Sequence, residues 1–119
     1  MNIALDNERL DATFFALSDP TRRAILVRLA KGEATVNELT ESFSISQPAI
    51  SRHLKVLEKA QLIRRSRDAQ RRPARVETQP IADAVHWIER YRELWETTYQ
   101  RLDALLAAEV KKRKRRKGD

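Results

Sequence analysis

Within the stretch SQPAISRHLKVL, Ser46 to Leu57, the side chains Gln47, Ser51, Arg52 and Lys55 are spaced so that on a helix they turn away from Ile50, Leu54 and Leu57. Arginine offers a planar fork of donors that matches the two acceptors on a guanine edge, and glutamine offers the donor and acceptor that match adenine. Serine and lysine at the same face suit phosphate oxygens. The chemistry on offer is therefore hydrogen bonding and charge pairing to a nucleic acid. Bond-making chemistry has little to draw on, because the chain has no cysteine and only two glycines and two histidines. No phosphate-binding glycine loop, paired catalytic carboxylates or Ser/His/Asp set emerges, so an enzyme is not expected.

A second group of cations lies close behind. Residues 51–76 hold nine Arg or Lys against Glu58 and Asp68, a local net of +7. The run KKRKRRK at 111–117 adds seven more, whereas residues 1–50 sum to −2 and residues 77–110 to −4. Positive charge is thus confined to two short segments of a 119-residue chain. Arg67, Arg71 and Arg72 fall in a turn-like patch between two weakly alternating stretches, 62–67 and 74–79, which read as a β-hairpin. Crowded arginines at a hairpin tip repel one another, which folding alone does not reward but a phosphate strand does.

The elements that must carry these groups are legible from caps and periodicity. Leu10, Phe14 and Leu17 mark a first helix in ERLDATFFALS, and Asp19-Pro20 starts a second with Ile25, Leu26 and Leu29 inward and Gly32 at its close. Thr35-Val36-Asn37-Glu38 matches a capping box and opens a third helix to about Phe43, with Val36, Leu39 and Phe43 inward. Ser46 can cap the next helix or hold a phosphate, and Pro48 suits its first turn. His53 can pack against the turn or donate to a phosphate, with packing preferred; Lys55 can equally be a solvated charge. Two short helices joined by Ser44-Ile45-Ser46 and followed by a hairpin give a mainly α fold with a small β-hairpin, a winged helix-turn-helix.

From Ile81 to about Ala108 a heptad-like stripe of Ile81, Ile88, Trp95 and Leu102, flanked by Ala84, Tyr91, Thr98 and Leu105, predicts one long helix. Val85, Leu94, Tyr99 and Leu106 widen it. A domain this small cannot cover such a length, so the surplus is expected to pair with a second copy of the chain. The expected organisation is an N-terminal arm at 1–7, a domain at 8–108 and a basic disordered tail at 109–119 that adds phosphate attraction. No apolar run approaches the ~20 residues that span a bilayer, and MNIALDNERLD is too acidic for a signal peptide, so a cytoplasmic protein is expected.

The succession LSDPTRRAILVRLAKG, TVNELTESFSISQPAISRHLKVLEKAQLI, an arginine-rich wing and WIERYRELWETTYQRLDALL resembles the ArsR family of winged helix-turn-helix repressors over roughly residues 8–108. The resemblance implies a homodimer joined through its first and last helices, with Leu10, Phe14, Ile88, Tyr91, Trp95, Leu102 and Leu105 in the interface. It also implies two recognition helices in successive major grooves of an inverted repeat on double-stranded DNA. The DNA-contacting set expected here is Ser46, Gln47, Ser51, Arg52, Lys55, Arg67, Arg71 and Arg72.

Many family members release DNA when a metal binds to cysteine or to Asp, His and Glu. This chain departs from that pattern: thiolates are lacking, and Asp83, His86, Glu89 and Glu93 have no second histidine farther along the helix. No metal and no cofactor are therefore expected, as in the cysteine-free branch of the family. Ser44 stands where the turn often has glycine, and the wing lacks its common glycine. Trp87 and Trp95 line either an effector pocket or, more in keeping with their place, an interface. The alternative to a DNA regulator is a dimeric winged-helix module that binds a protein partner, which heparin and duplex retention after removal of 111–119 would distinguish.

Overall fold

The computed structural model describes residues 3–67 and 71–117. Its elements are α1 (Ile3–Leu17), α2 (Pro20–Ala30), α3 (Val36–Phe43), α4 (Gln47–Lys59), β1 (Ile63–Arg65), β2 (Ala74–Val76) and α5 (Gln79–Lys117). Each of the three central helices starts at a side-chain cap in extended backbone. Asp19 accepts from the Arg22 amide at 3.0 Å, Thr35 from Glu38 at 3.2 Å and Ser46 from Ala49 at 3.3 Å. Each cap satisfies one amide that the first helical turn leaves without a carbonyl. The Thr35 box is modified: its hydroxyl donates to the Glu38 carboxylate at 3.1 Å while accepting from the Glu38 amide.

The joint between α1 and α2 is closed by arginine. Arg22, only 9% exposed, donates to the carbonyls of Ala16 at 2.8 Å and Phe15 at 3.1 Å, and its guanidinium lies 5.4 Å from the centre of the Phe15 ring. Arg23 donates to the Leu17 carbonyl at 2.7 Å. Two cations thus satisfy the last carbonyls of α1 at the negative end of its dipole. Below them the core gathers Ala16, Ile25, Leu29, Leu39, Ile50, Leu54, Leu57, Leu62 and Ile63.

The hairpin pairs antiparallel with Ile63 opposite Val76, Arg64 opposite Arg75 and Arg65 opposite Ala74. A third edge comes from Ala34, which exchanges both backbone hydrogen bonds with Ala74 at 3.0 and 2.7 Å. Both strands are shorter than the alternation predicts, three residues each. Leu62 buries its side chain in the core while its carbonyl accepts from the Glu77 amide at 2.8 Å, and α5 begins two residues after Glu77. Asp68, expected to form the tip turn, lies outside the described residues.

The helices reach further than their apolar patterns. α1 begins at Ile3, so most of the expected arm at 1–7 is helical, and α5 begins at Gln79 rather than Ile81. α5 also continues through the stretch expected to be disordered, ending at Lys117. Lysine and arginine are good helix formers, and cations in the last turns favour the helix dipole. Among the described residues no helix is long and apolar enough to cross a membrane.

Residues divide into two units, Met1–Ala84 and Val85–Asp119. In the first, Ala84 is buried and Ile81 packs against the core. The second is helix alone. Trp87 and Tyr91 stack at 5.3 Å, Tyr91 meets Trp95 edge-on at 5.8 Å, and Trp95 meets Tyr99 at 5.5 Å, so four aromatics one turn apart form a ladder. Trp95 is 43% and Leu105 69% exposed, a broad apolar face within a single chain.

Candidate nucleic-acid interface

The candidate surface is built on α4. Ile50, Leu54 and Leu57 are fully sunk into the core, which fixes the helix about its axis. Gln47, Arg52 and Lys55 are consequently exposed and Ser51 half-buried, as their spacing predicts. Arg52 and Lys55 make no hydrogen bond or ion pair to a described residue, so both cations are available to a ligand. Pro48 and Lys59 are exposed on α4 as well.

Ser44 holds the turn. It caps α3 at φ +53°, a left-handed conformation that a residue with a Cβ adopts at a cost, and its amide donates to Thr40 at 3.1 Å. The glycine that this turn usually takes is absent, yet the geometry glycine would provide is retained. In the wing Arg72 also takes a positive φ, +40°.

Beside the N-terminus of α4 runs a groove of about 470 Å³ lined by Asn37, Glu38, Gln47, Arg65, Arg71 and Arg72, among others. Gln47 donates through Nε2 to Asn37 Oδ1 at 3.3 Å, so the two helices of the pair are linked at the surface that would face bases. Arg65 donates to the Arg72 carbonyl at 3.1 Å, while its Nε is buried with no hydrogen-bond partner in the described structure. Burial first, and the neighbouring Arg72 charge second, hold the Arg65 guanidinium below the usual arginine range. An arginine stays charged under such pressure, and an anion entering the groove would offset the repulsion from Arg72.

The expected residues separate into groups. Gln47, Arg71 and Arg72 line one groove; Ser51, Arg52 and Lys55 lie on the α4 face outside its lining. Ser46 serves as the cap. Arg71, 73% exposed, lies 3.8 Å from Glu38, an ion pair too exposed to contribute much. Arg67 is exposed on the strand side of the tip. Arg64 and Arg75, like charges directly opposite, are both near Glu77, at 3.2 and 3.9 Å. His53 does not point to solvent: its Nδ1 lies 3.9 Å from the Asp19 carboxylate that caps α2.

Arg65 and Asn37 were missed as site residues. Arg65 reads as an ordinary strand cation, and only the register that sets it opposite Ala74 reveals its side of the hairpin. Asn37 follows the Thr35 cap by two residues, and nothing in its spacing announces Gln47, ten residues on.

The α5 carboxylates do not converge. Asp83 accepts from Gln79 at 2.9 Å, Glu89 and Glu96 lie near Arg92, and among the described residues no three of His, Cys, Asp and Glu come together as metal ligands.

The bacterial regulatory proteins of the arsR family match residues 19–65, from the α2 cap to the end of β1. The transcriptional repressor SdpR of Bacillus subtilis (strain 168) is 38% identical over 79 residues, 66% of this chain and 88% of that protein. An ArsR family transcriptional regulator of known crystal structure is 39% identical and superposes with a TM-score of 0.70, covering 76% of this chain and 93% of the other. The homodimeric winged helix-turn-helix DNA-binding domain from Mycobacterium bovis, solved by NMR, shares the fold at 22% identity, with a TM-score of 0.62 over 76% of this chain and 86% of that one.

Proposed function

This chain belongs to the ArsR family of bacterial regulatory proteins, DNA-binding transcriptional regulators rather than enzymes, and we propose that it is a homodimeric repressor of the cytoplasm that occupies an inverted-repeat operator. The observation that carries this reading is the free cationic face of α4 next to the arginine-lined groove of the wing. Gln47, Ser51 and Arg52 enter the major groove and read base edges, Arg52 as a fork on guanine. Lys55, Arg65, Arg67, Arg71 and Arg72 hold the flanking phosphates, which set the register of the helix in the groove. Ser46 contributes as the cap that aims the first turn.

A second copy supports the long helix. The aromatic ladder with Ile88, Leu102 and Leu105 offers a heptad-spaced apolar face to that copy, and Leu10 and Phe14 on α1 are assigned to contacts between copies as well. Two α4 helices then meet successive major grooves one helical turn apart. Repression follows from occupancy, because a dimer on a promoter-overlapping site denies it to polymerase.

Selection from a random duplex library tests the reading. Enrichment of an inverted repeat bound at least ~10³-fold more tightly than shuffled DNA is expected. Recovery of no common sequence, with uniform and steeply salt-dependent binding, would refute specific readout. Sedimentation equilibrium of Leu102→Glu tests assembly: a shift from dimer to monomer is expected, and an unchanged dimer would exclude this face of α5 from the interface.

A further inference from the structure

Seven consecutive cations, residues 111–117, close α5 as regular helix with every side chain exposed. They equal the formal net charge of the whole chain, +7. No ion pair to a described residue engages any of them. Such a run opposes the helix that contains it, since neighbours three and four apart repel, and the favourable dipole at the C-terminus offsets this only in part. A polyanion would remove that repulsion.

We propose that residues 111–117 of α5 form a second, sequence-independent binding site for the phosphates of duplex DNA, separate from the reading face of α4. Helical rise spaces these charges at about 1.5 Å along the axis. Successive side chains turn by about 100° around the helix, so only some of the seven face one duplex, which presents one negative charge per ~1.7 Å of its own axis. An anionic membrane surface fits less well, because residues 111–117 carry a cation at every position and have no apolar side of their own to bury. The acidic stretch of a second α5 also fits less well, since residues 77–110 sum to only −4 against seven cations. The site goes beyond operator reading: it raises affinity for any DNA flanking the operator and leaves the choice of operator to α4.

The test compares the full chain with a variant in which all seven residues 111–117 are glutamine, and with a second variant ending at Val110. Affinity for a random-sequence 30-base-pair duplex is measured across salt concentrations. If about four of the seven cations face phosphates, the logarithmic salt slope of the full chain is steeper by ~3–4. That corresponds to roughly a hundredfold difference in affinity retained or lost between 50 and 200 mM salt. Both variants should keep the full chain's ratio of selected-operator to random-duplex affinity. Parallel salt dependences for all three proteins would overturn the proposal. So would equal tail-dependent capture by phosphatidylglycerol vesicles, which would assign the segment to lipid, or a change from dimer to monomer in the variants that accounts for the affinity loss. Collapse of the operator ratio in the full chain itself would count against operator reading by α4 and leave the tail's slope to be judged alone.

Discussion

Replacing Arg22 with methionine keeps an unbranched apolar stem and removes the donors, so it isolates what the buried guanidinium does for the α1–α2 joint. Two hydrogen bonds to carbonyls are lost, at 2.8 and 3.1 Å. With a charged donor each contributes about 1.5–3 kcal/mol, and the Ala16 carbonyl is left in a fully buried setting without its partner. The cation over the Phe15 ring contributes about 0.5–1 kcal/mol more. Against this, burying a guanidinium carries a desolvation cost that the variant escapes. The balance is a loss of about 3–4 kcal/mol, a large share of the roughly 5–15 kcal/mol that holds a typical domain together. Urea unfolding should show a lower midpoint with unchanged slope, and the melting temperature should fall by about 10–15 °C. Arg23→Met is the control. Its single bond to Leu17 is exposed and should contribute less than about 1 kcal/mol. Equal effects of the two variants, or an Arg22→Met loss below about 1 kcal/mol, would refute the view that the buried Arg22 guanidinium holds the α1–α2 joint through the Ala16 carbonyl.

Three further outcomes are expected. Arg52→Ala should cost about 1–3 kcal/mol in operator binding and relax preference at one base pair, while Lys55→Ala should weaken all duplexes alike and lower the salt slope by about 0.9; competition binding on point-substituted operators distinguishes them. Ser44→Gly should raise stability by about 0.5–1 kcal/mol, because a residue at φ +53° gives way to one without that strain; a destabilised variant in urea titration would contradict it. The Asp19 carboxyl is held below its ordinary 3.8 chiefly by the Arg22 amide, then by His53 and the Arg22 charge, with burial opposing. A depressed carboxyl stabilises fully above its unfolded value and loses that contribution as pH falls through the folded one. Asp19→Asn should therefore destabilise at pH 6, and the gap to the parent should close as pH drops below 3.8; a constant gap down to pH 2 would show that charge is not involved.

Local chemistry wrote most of this fold into the sequence. Asp19, Thr35 and Ser46 each placed a helix start, because a cap is a single residue acting on an amide two or three positions away. The outward set on α4 was equally legible, since Ile50, Leu54 and Leu57 leave one orientation open. Contacts across the fold were not. The Arg22 interaction spans six and seven residues and joins two helices, so it leaves no periodic trace. The Arg65 side of the hairpin and the Gln47–Asn37 pair depend on register and on the crossing of α3 and α4. The basic stretch read as disordered because charge runs usually are, whereas its residue types favour helix once α5 leads into them.

The aromatic ladder has an optical consequence. The chain's two tryptophans, Trp87 and Trp95, both lie on its rungs within residues 85–119, and the winged unit has none. Tryptophan emission therefore originates on α5 and not within the α2–α4 core. Far-ultraviolet ellipticity sees both. Titrating the protein by dilution while recording emission would thus read out subunit dissociation without any label, and a tryptophan introduced at Phe43, itself half-buried beside the turn, would give the DNA-reading unit a signal of its own.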